Sequence, residues 1–207
     1  WTRIIGMDYI ELGFRIAADI MPDNVELLYN DFNMTLPGKR DAVVRMVKDF
    51  KSQGIRIDGI GMQAHWNLES PTIEDIEESI TAFYDAGVQV HITELDIDVL
   101  PAVEGMYGDG NGEDLRGTIK PDAQNNPYAD GLPEEIQQRL ATRYGDLFEL
   151  FVRHSDKIKR LTFWGVADNK TWLNNWPIRG RTNHPLLFDR DIKPKQAFYT
   201  VLEQGQR

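Results

Sequence analysis

The sequence predicts an α/β fold in which helices cover a parallel sheet. Short apolar segments rich in β-branched residues alternate along the 207 residues with longer segments that carry apolar residues at helical spacing. The strand-like segments are apolar on both faces, as strands are when helices cover both sides of a parallel sheet. No internal repeat or low-complexity segment interrupts the alternation. We therefore predict about four strands, each followed by a helix.

The first predicted elements occupy the amino-terminal quarter of the chain. Residues 3–18 have apolar side chains at helical spacing, and a Met-Pro-Asp-Asn turn at 21–24 ends this helix. Residues 25–30 are a short apolar run that ends in polar residues, which predicts a strand. Residues 40–53 have one apolar stripe and are followed by Gly54, a typical helix stop.

The remaining elements repeat this pattern. In chain order they are strand 57–65, helix 73–86, strand 88–97, helix 133–154, strand 160–167 and helix 195–202. Two long loops, 101–132 and 168–189, carry no predicted element. The first is rich in Gly, Asp, Asn and Pro and is too long for a plain connector, so we expect it to shape a site.

The composition excludes several classes of partner and site. The net charge of −10, from 33 acidic and 23 basic residues, would repel a phosphate backbone, so we expect no nucleic-acid partner. The absence of cysteine excludes disulfides, thiolate nucleophiles and zinc-thiolate sites. No apolar run of about 18 residues occurs, so we expect no membrane span. The chain opens on Trp1 without a signal-peptide pattern, and we expect it to derive from a longer precursor.

Polar side chains follow the end of every predicted strand. Ligands of parallel α/β sheets bind at the carboxyl ends of the strands, so these side chains are the candidate site. The residues concerned are Tyr29, Asn30, Gln63, His65, Glu94, Asp96, Trp164 and Asp168.

Two strand ends carry acid–base groups. Glu94 has the same parity as Val90 and Ile92 of an apolar strand, where a charge is costly unless it is paired or functional. Alternation places Gln63 and His65 on one face of their strand, and Glu94 and Asp96 on one face of the next. Asp96 either caps its strand end or fixes the tautomer of a nearby histidine, and we favour the second role.

Four tryptophans lie close to strand ends. They are Trp66, Trp164, Trp172 and Trp176. Aromatic faces at such positions either stack on the C–H face of a sugar or cover the end of the sheet. Together with the amide side chains and the acidic charge, they favour the cleavage of a neutral polysaccharide, which needs two carboxylates. His65, Glu94 and Asp96 also permit a second interpretation, a metal-dependent hydrolase, although His-x-His and His-x-x-x-His spacings are absent.

Several motifs together resemble glycoside hydrolase family 10, the retaining endo-β-1,4-xylanases on a TIM (β/α)8 barrel. They are LLYNDFN at 27–33, IDGIGMQAH at 57–65, HITELD at 91–96, TFWG at 162–165 and PLLFD at 185–189, with Asp168, Trp172 and Trp176-Pro177 between the last two. The resemblance covers nearly the whole chain. It implies a retaining endo-1,4-β-xylanase that acts on xylan or xylo-oligosaccharides and needs no cofactor or metal.

The resemblance also implies individual roles. Glu94, in Thr-Glu-Leu-Asp, is the expected nucleophile; His65 is expected to hydrogen-bond it, and Asp96 to hold His65. The expected substrate-binding residues are Gln63 at the cleavage site, Trp164 and Trp172 on the glycone side, and Tyr29 with Asn30 in the first motif, Tyr29 on the aglycone side.

One departure from the family pattern changes the expected domain organisation. The family's acid/base is a glutamate directly after an asparagine, and no Asn-Glu dipeptide occurs in this sequence. We therefore expect residues 1–207 to be the C-terminal part of a single catalytic domain, a half barrel of about the last four strands with their helices. The N-terminal half is the expected partner, and the half alone is expected to be inactive.

Two further expectations concern function and place. The alternative to an enzyme is a non-catalytic carbohydrate-binding fragment that keeps the tryptophan platforms. A polymeric substrate implies a secreted or cell-surface location.

Overall fold

The computed structural model of the chain describes residues 1–6, 8–103 and 119–206. The helices are α1 (Thr2–Ile5), α2 (Tyr9–Ile20), α3 (Pro37–Ser52), α4 (Ile73–Asp85), α5 (Glu134–Arg153) and α6 (Gln196–Gln204). The strands are β1 (Leu28–Asp31), β2 (Gly59–Met62), β3 (His65–Asn67), β4 (Gln89–Asp98) and β5 (Ile158–Phe163). Strands and helices alternate as the sequence predicts, which confirms the α/β class.

The described residues form two compact units, and β4 contributes to both. The first unit comprises Trp1–Ala64, Pro71–Glu94 and His154–Thr162. In it, β1, β2 and the first part of β4 pair in parallel, with Tyr29 opposite Ile60 and Ile60 opposite Val90. Ile76, Ile80 and Phe83 of α4 are fully buried in its core.

The second unit comprises His65–Ser70, Leu95–Arg153 and Phe163–Arg207, of which residues 104–118 and 207 lie outside the described ranges. In this unit β3 pairs in parallel with the end of β4, and His65 lies opposite Asp96. The long helix α5 packs along α6 and buries Leu140, Tyr144 and Leu147.

Two predicted elements are each divided in the structure. The predicted helix 3–18 is two helices, because Gly6 ends α1 at φ 105°, outside the helical region. The predicted strand 57–65 is β2 and β3, separated at Ala64, whose φ is +65°. The alternation that placed Gln63 and His65 on one face is therefore interrupted between them. The described residues form five strands where about four were predicted.

The two predicted loops differ in what the structure describes. Residues 104–118 of loop 101–132 lie outside the described residues, so its expected role in shaping a site stays a prediction. The loop 168–189 contains two short 3-10 helices, Asp168–Lys170 and Trp172–Asn174. The last predicted strand is shorter than expected and ends at Phe163, which leaves Trp164 just beyond it. None of the helices in the described ranges has the length and apolar character that crossing a membrane requires.

Candidate active site at the strand ends

Glu94 belongs to a hydrogen-bonded cluster of the first unit. Its half-buried side chain accepts a hydrogen bond from Asn30 Nδ2 at 2.9 Å. The Thr93 hydroxyl donates to Asn30 Oδ1 at 2.6 Å. Because that oxygen is occupied, the amide of Asn30 presents its N–H2 group to the carboxylate. Asn30, expected from the sequence to bind substrate, therefore orients Glu94.

Gly61 makes this cluster possible. A Cβ atom at this position would lie 2.5 Å from Asn30 Oδ1, closer than real contacts allow, and in a tight contact of 3.0 Å with Thr93 Cγ2. Sequence reasoning missed Gly61 and Thr93. The available signal was a glycine inside a buried strand, which marks the close approach of another group.

Tyr29 and Asp31 form a second pair in the first unit. The Tyr29 hydroxyl donates to Asp31 Oδ2 at 2.8 Å, and Lys39 Nζ lies 2.7 Å from the same oxygen. Burial raises the pKa of Tyr29, and the hydrogen bond to Asp31 raises it further. The phenol therefore stays protonated at neutral pH. The Gln63 backbone N–H donates to Asp31 O at 3.1 Å, which places Gln63 next to this pair.

In the second unit, Asp96 joins His65 to Trp172. His65 Nδ1 lies 2.9 Å from Asp96 Oδ1, and Trp172 Nε1 donates to Asp96 Oδ2 at 2.8 Å. Asp96 is fully buried, and the imidazole and indole rings are 4.8 Å apart between centroids. A buried carboxylate next to Nδ1 fixes the tautomer and orientation of the imidazole. The favoured role of Asp96 is in accord with this geometry.

Three of the four tryptophans, Trp164, Trp172 and Trp176, form a cluster with His65 in the second unit. Trp164 is 47% exposed and its ring lies edge-on to His65 at 6.3 Å, while Trp176 stacks on Trp172 at 5.9 Å. Trp66 differs, because it is 8% exposed and packs against Phe151. Of the two roles that the sequence left open for the tryptophans, sugar stacking does not fit Trp66, because its ring is buried in the core.

A cavity of about 100 Å³ lies beside this cluster in the second unit. Its lining includes Asp96, Asp98, Trp172 and Arg181. Asp98 accepts hydrogen bonds from Asn183 Nδ2 at 2.6 Å and from the Leu100 backbone N–H at 2.8 Å. Burial raises the pKa of Asp98, and the charge of Arg181 opposes that shift. The cavity is large enough for ordered water next to these carboxylates.

Asp168 anchors the loop that carries Trp172. Its fully buried carboxylate accepts hydrogen bonds from Lys195 Nζ at 2.9 Å and from the Leu186 backbone N–H at 2.8 Å. Lys195 Nζ also donates to His184 O at 2.8 Å. Sequence reasoning noted Asp168 as part of a motif but did not identify Lys195 as its partner.

No group of three His, Cys, Asp or Glu side chains in the described part of the chain is arranged to hold a metal ion. A measurement of activity in the presence of a chelator remains the test of the metal-dependent alternative.

Comparison with known proteins gives consistent results. The family model described as "Glycosyl hydrolase family 10" matches residues 1–204. An endo-1,4-beta-xylanase A of Xylanibacter ruminicola is 42% identical over 203 residues, which are 98% of this chain and 54% of that protein. An endo-1,4-beta-xylanase of Geobacillus stearothermophilus is 41% identical over 98% of this chain and 55% of its own length. The chain thus spans about half the length of these relatives.

Solved structures agree with this match. A GH10 endoxylanase from a sugarcane soil metagenome is 45% identical and superposes with a TM-score of 0.87 over 98% of this chain and 56% of its own. A second structure, a variant in complex with xylotriose, is 35% identical with a TM-score of 0.80 over 98% of this chain and 56% of its own. The match along nearly the whole chain, and the fold shared with these structures, show that the chain belongs to glycosyl hydrolase family 10, a TIM-barrel family.

Proposed function

We propose that this chain carries the nucleophile of a retaining endo-1,4-β-xylanase. The observation that carries the proposal is the placement of Glu94, oriented by Asn30 and Thr93 within a chain of this family. In a retaining glycosidase one carboxylate attacks the anomeric carbon and forms a covalent glycosyl-enzyme, and a second carboxyl group about 5–5.5 Å away acts as acid and then as base.

The geometry supports Glu94 over Asp96 as the proposed nucleophile. A nucleophile must reach a substrate, and Glu94 is half-buried whereas Asp96 is fully buried. Asp96 also has one oxygen next to His65 Nδ1 and the other on the Trp172 indole N–H. Asp96 is therefore better suited to hold His65. The hydrogen bond from His65 to Glu94 that the resemblance implies stays a prediction.

The proposed substrate is xylan or a xylo-oligosaccharide. Relatives of this chain are named endo-1,4-beta-xylanases, and one similar structure holds xylotriose. Trp164 and Trp172 offer aromatic faces on which the C–H face of a sugar can pack. The Tyr29 hydroxyl oxygen, whose proton is donated to Asp31, can accept a hydrogen bond from a sugar hydroxyl, and the Gln63 amide can donate or accept one. Because xylan is a polymer, this substrate supports the expected secreted or cell-surface location.

The acid/base glutamate is proposed to come from an N-terminal half. The chain spans about half the length of its relatives, and no Asn-Glu dipeptide occurs in it. Large apolar side chains near its start are exposed, among them Trp1 at 78%, Ile4 at 82% and Ile20 at 70%. Exposed apolar groups of this number are typical of a surface that another segment covers. We propose that the N-terminal half covers them and completes the barrel.

The test is chemical rescue in the assembled enzyme. We expect the chain, co-expressed with the N-terminal half of the Xylanibacter relative's catalytic domain, to hydrolyse xylan. Glu94→Gln should reduce turnover to a trace, because the covalent intermediate cannot form. Glu94→Gly with added azide should release the α-glycosyl azide, since the azide attacks from the nucleophile's side.

Glu203→Gln, an exposed residue of α6, is the matched control and should leave turnover unchanged. More than a trace of xylan hydrolysis by Glu94→Gln would show that Glu94 is not the nucleophile.

A carbohydrate-binding fragment is the second candidate. It is favoured by one observation: Trp164, Trp172 and Trp176 lie together in a single compact unit. Sugar binding on these rings does not require the two catalytic carboxylates. Calorimetry with xylo-oligosaccharides distinguishes the two functions. Equal binding with and without the N-terminal half, and no turnover in either case, would support this candidate over the enzyme.

A further inference from the structure

Trp172 has an indole N–H bond that sugar stacking does not require. A tryptophan that serves only as a platform presents its ring face, and its N–H can point to water. In this chain Nε1 donates to Asp96 Oδ2 at 2.8 Å, across 76 residues of sequence.

Asp96 depends on this bond because the carboxylate is fully buried. A buried charge requires hydrogen-bond partners on its lone pairs, since water is not available to replace them. His65 Nδ1 lies at one carboxylate oxygen and the Trp172 indole N–H at the other. The plane of the carboxylate, and with it the direction of the bond to His65, is therefore set in part by Trp172.

Trp172 is itself held in place. It begins the 3-10 helix Trp172–Asn174, and the Asn174 side chain donates to Asp168 O at 3.0 Å. Trp176 stacks on the Trp172 ring, and Asp168 is bonded to Lys195. A ring restrained in this way can transmit its position to Asp96.

We propose that Trp172 is a positioning residue for the His65–Asp96 pair as well as a wall of the sugar site. A sugar that packs on the Trp172 ring then contacts the side chain that orients Asp96. Asp96 in turn orients His65. The inference deepens the proposed function and rests on it. The positioning role of Trp172 affects catalysis only if His65 hydrogen-bonds Glu94.

The test compares two tryptophans that are both expected to line the glycone side. Trp172→Phe keeps an aromatic face and removes the N–H donor, and Trp164→Phe makes the same reduction on a ring that is half exposed. In the assembled enzyme with an aryl xylobioside, we expect Trp164→Phe to raise KM with less than a threefold change in kcat. Trp172→Phe should lower kcat at least tenfold and change its pH profile, because His65 loses its fixed orientation.

Two further measurements distinguish the loss of the indole N–H from a change in packing. Incorporation of benzothienylalanine at position 172 retains the bicyclic shape without the N–H, so a loss of kcat there cannot be attributed to a cavity. In ¹⁵N-labelled chain, the Trp172 indole proton, assigned by its absence in Trp172→Phe, should exchange with solvent much more slowly than the Trp164 indole proton.

The outcomes separate the two claims. Fast exchange of the Trp172 indole proton, or full kcat with benzothienylalanine, overturns the positioning role even when the enzyme is active. The assembled protein could instead show a protected Trp172 indole proton and no hydrolysis of xylan. That result would refute the proposed function and the catalytic role of the hydrogen bond from Trp172 to Asp96.

Discussion

At the scale of single residues, the cluster around Glu94 depends on the absence of a side chain. Asn30 and Thr93 can approach the strand only because position 61 is glycine. The bond from Thr93 to Asn30 then decides which end of the amide faces the carboxylate. A residue with no side chain thus controls the orientation of the proposed nucleophile.

Gly61→Ala is expected to displace Asn30 from Glu94. The new methyl group would lie 2.5 Å from Asn30 Oδ1, in a strand whose backbone cannot move freely. We expect kcat of the assembled enzyme to fall at least tenfold and the free energy of unfolding to fall by about 1–3 kcal/mol, the usual cost of overpacking. The rate of xylan hydrolysis measures kcat, and urea unfolding measures the free energy of unfolding.

The matched control is Gly38→Ala in α3, where an added methyl group meets nothing within 4 Å. It should stabilise the helix by about 0.5–1 kcal/mol and leave kcat unchanged. Wild-type kcat in Gly61→Ala would show that the orientation of Asn30 is immaterial.

At the scale of elements, the segment from Asp168 to Lys195 is organised by a buried ion pair and not by regular secondary structure. Burial raises the pKa of Asp168 and lowers that of Lys195, and the charge of each partner opposes the shift of the other. The same carboxylate bonds the Leu186 backbone N–H, so it ties the middle of the segment to both ends. Trp172 and Trp176 are carried by this segment.

Asp168→Ala is expected to destabilise the protein strongly, since it leaves the Lys195 ammonium group buried without its counter-charge. Removing one partner of a buried pair costs about 3–5 kcal/mol. Asp168→Leu combined with Lys195→Met should recover much of that loss, because both charges are then removed. Urea unfolding of the three variants measures this, and a loss below about 1 kcal/mol for Asp168→Ala would mean that the pair is solvated.

At the scale of the whole molecule, stability is expected to depend on pH through a buried histidine. His91 in β4 is 2% exposed, and neither ring nitrogen has a hydrogen-bond partner among the described residues. Burial lowers the pKa of His91 below its ordinary 6.5; the charge of Glu26 opposes this, and the charges of Arg160 and Lys159 add to it. The imidazole is therefore neutral in the folded state at pH values where the unfolded chain already binds a proton.

This linkage has a definite sign. Well above about pH 6.5 neither state is protonated at His91, and stability is at its full value. As the pH falls from that value towards the lowered folded pKa, the unfolded chain binds more protons, so stability decreases by up to about 1.4 kcal/mol per pH unit. His91→Leu should reduce this acid-side slope and lose little stability at pH 7.5, since it also removes two unpaired polar atoms. Urea unfolding at pH 7.5 and pH 5.5 compares the slopes, and identical slopes would show that His91 has access to water.

The order of strands and helices, and the identities of the polar residues at the strand ends, were determined by the sequence alone. These properties follow from local periods and from turn residues, so 88–97 was predicted within one residue of the observed Gln89–Asp98. Only the tertiary structure decided that Trp66 belongs to the core, that the strand divides at Ala64, and that Trp172 bonds Asp96. The physical reason is distance along the chain. Periodicity reports which face a side chain takes, whereas the partner of a polar atom is chosen by segments far apart in sequence, as Asn30 and Glu94 are across 64 residues.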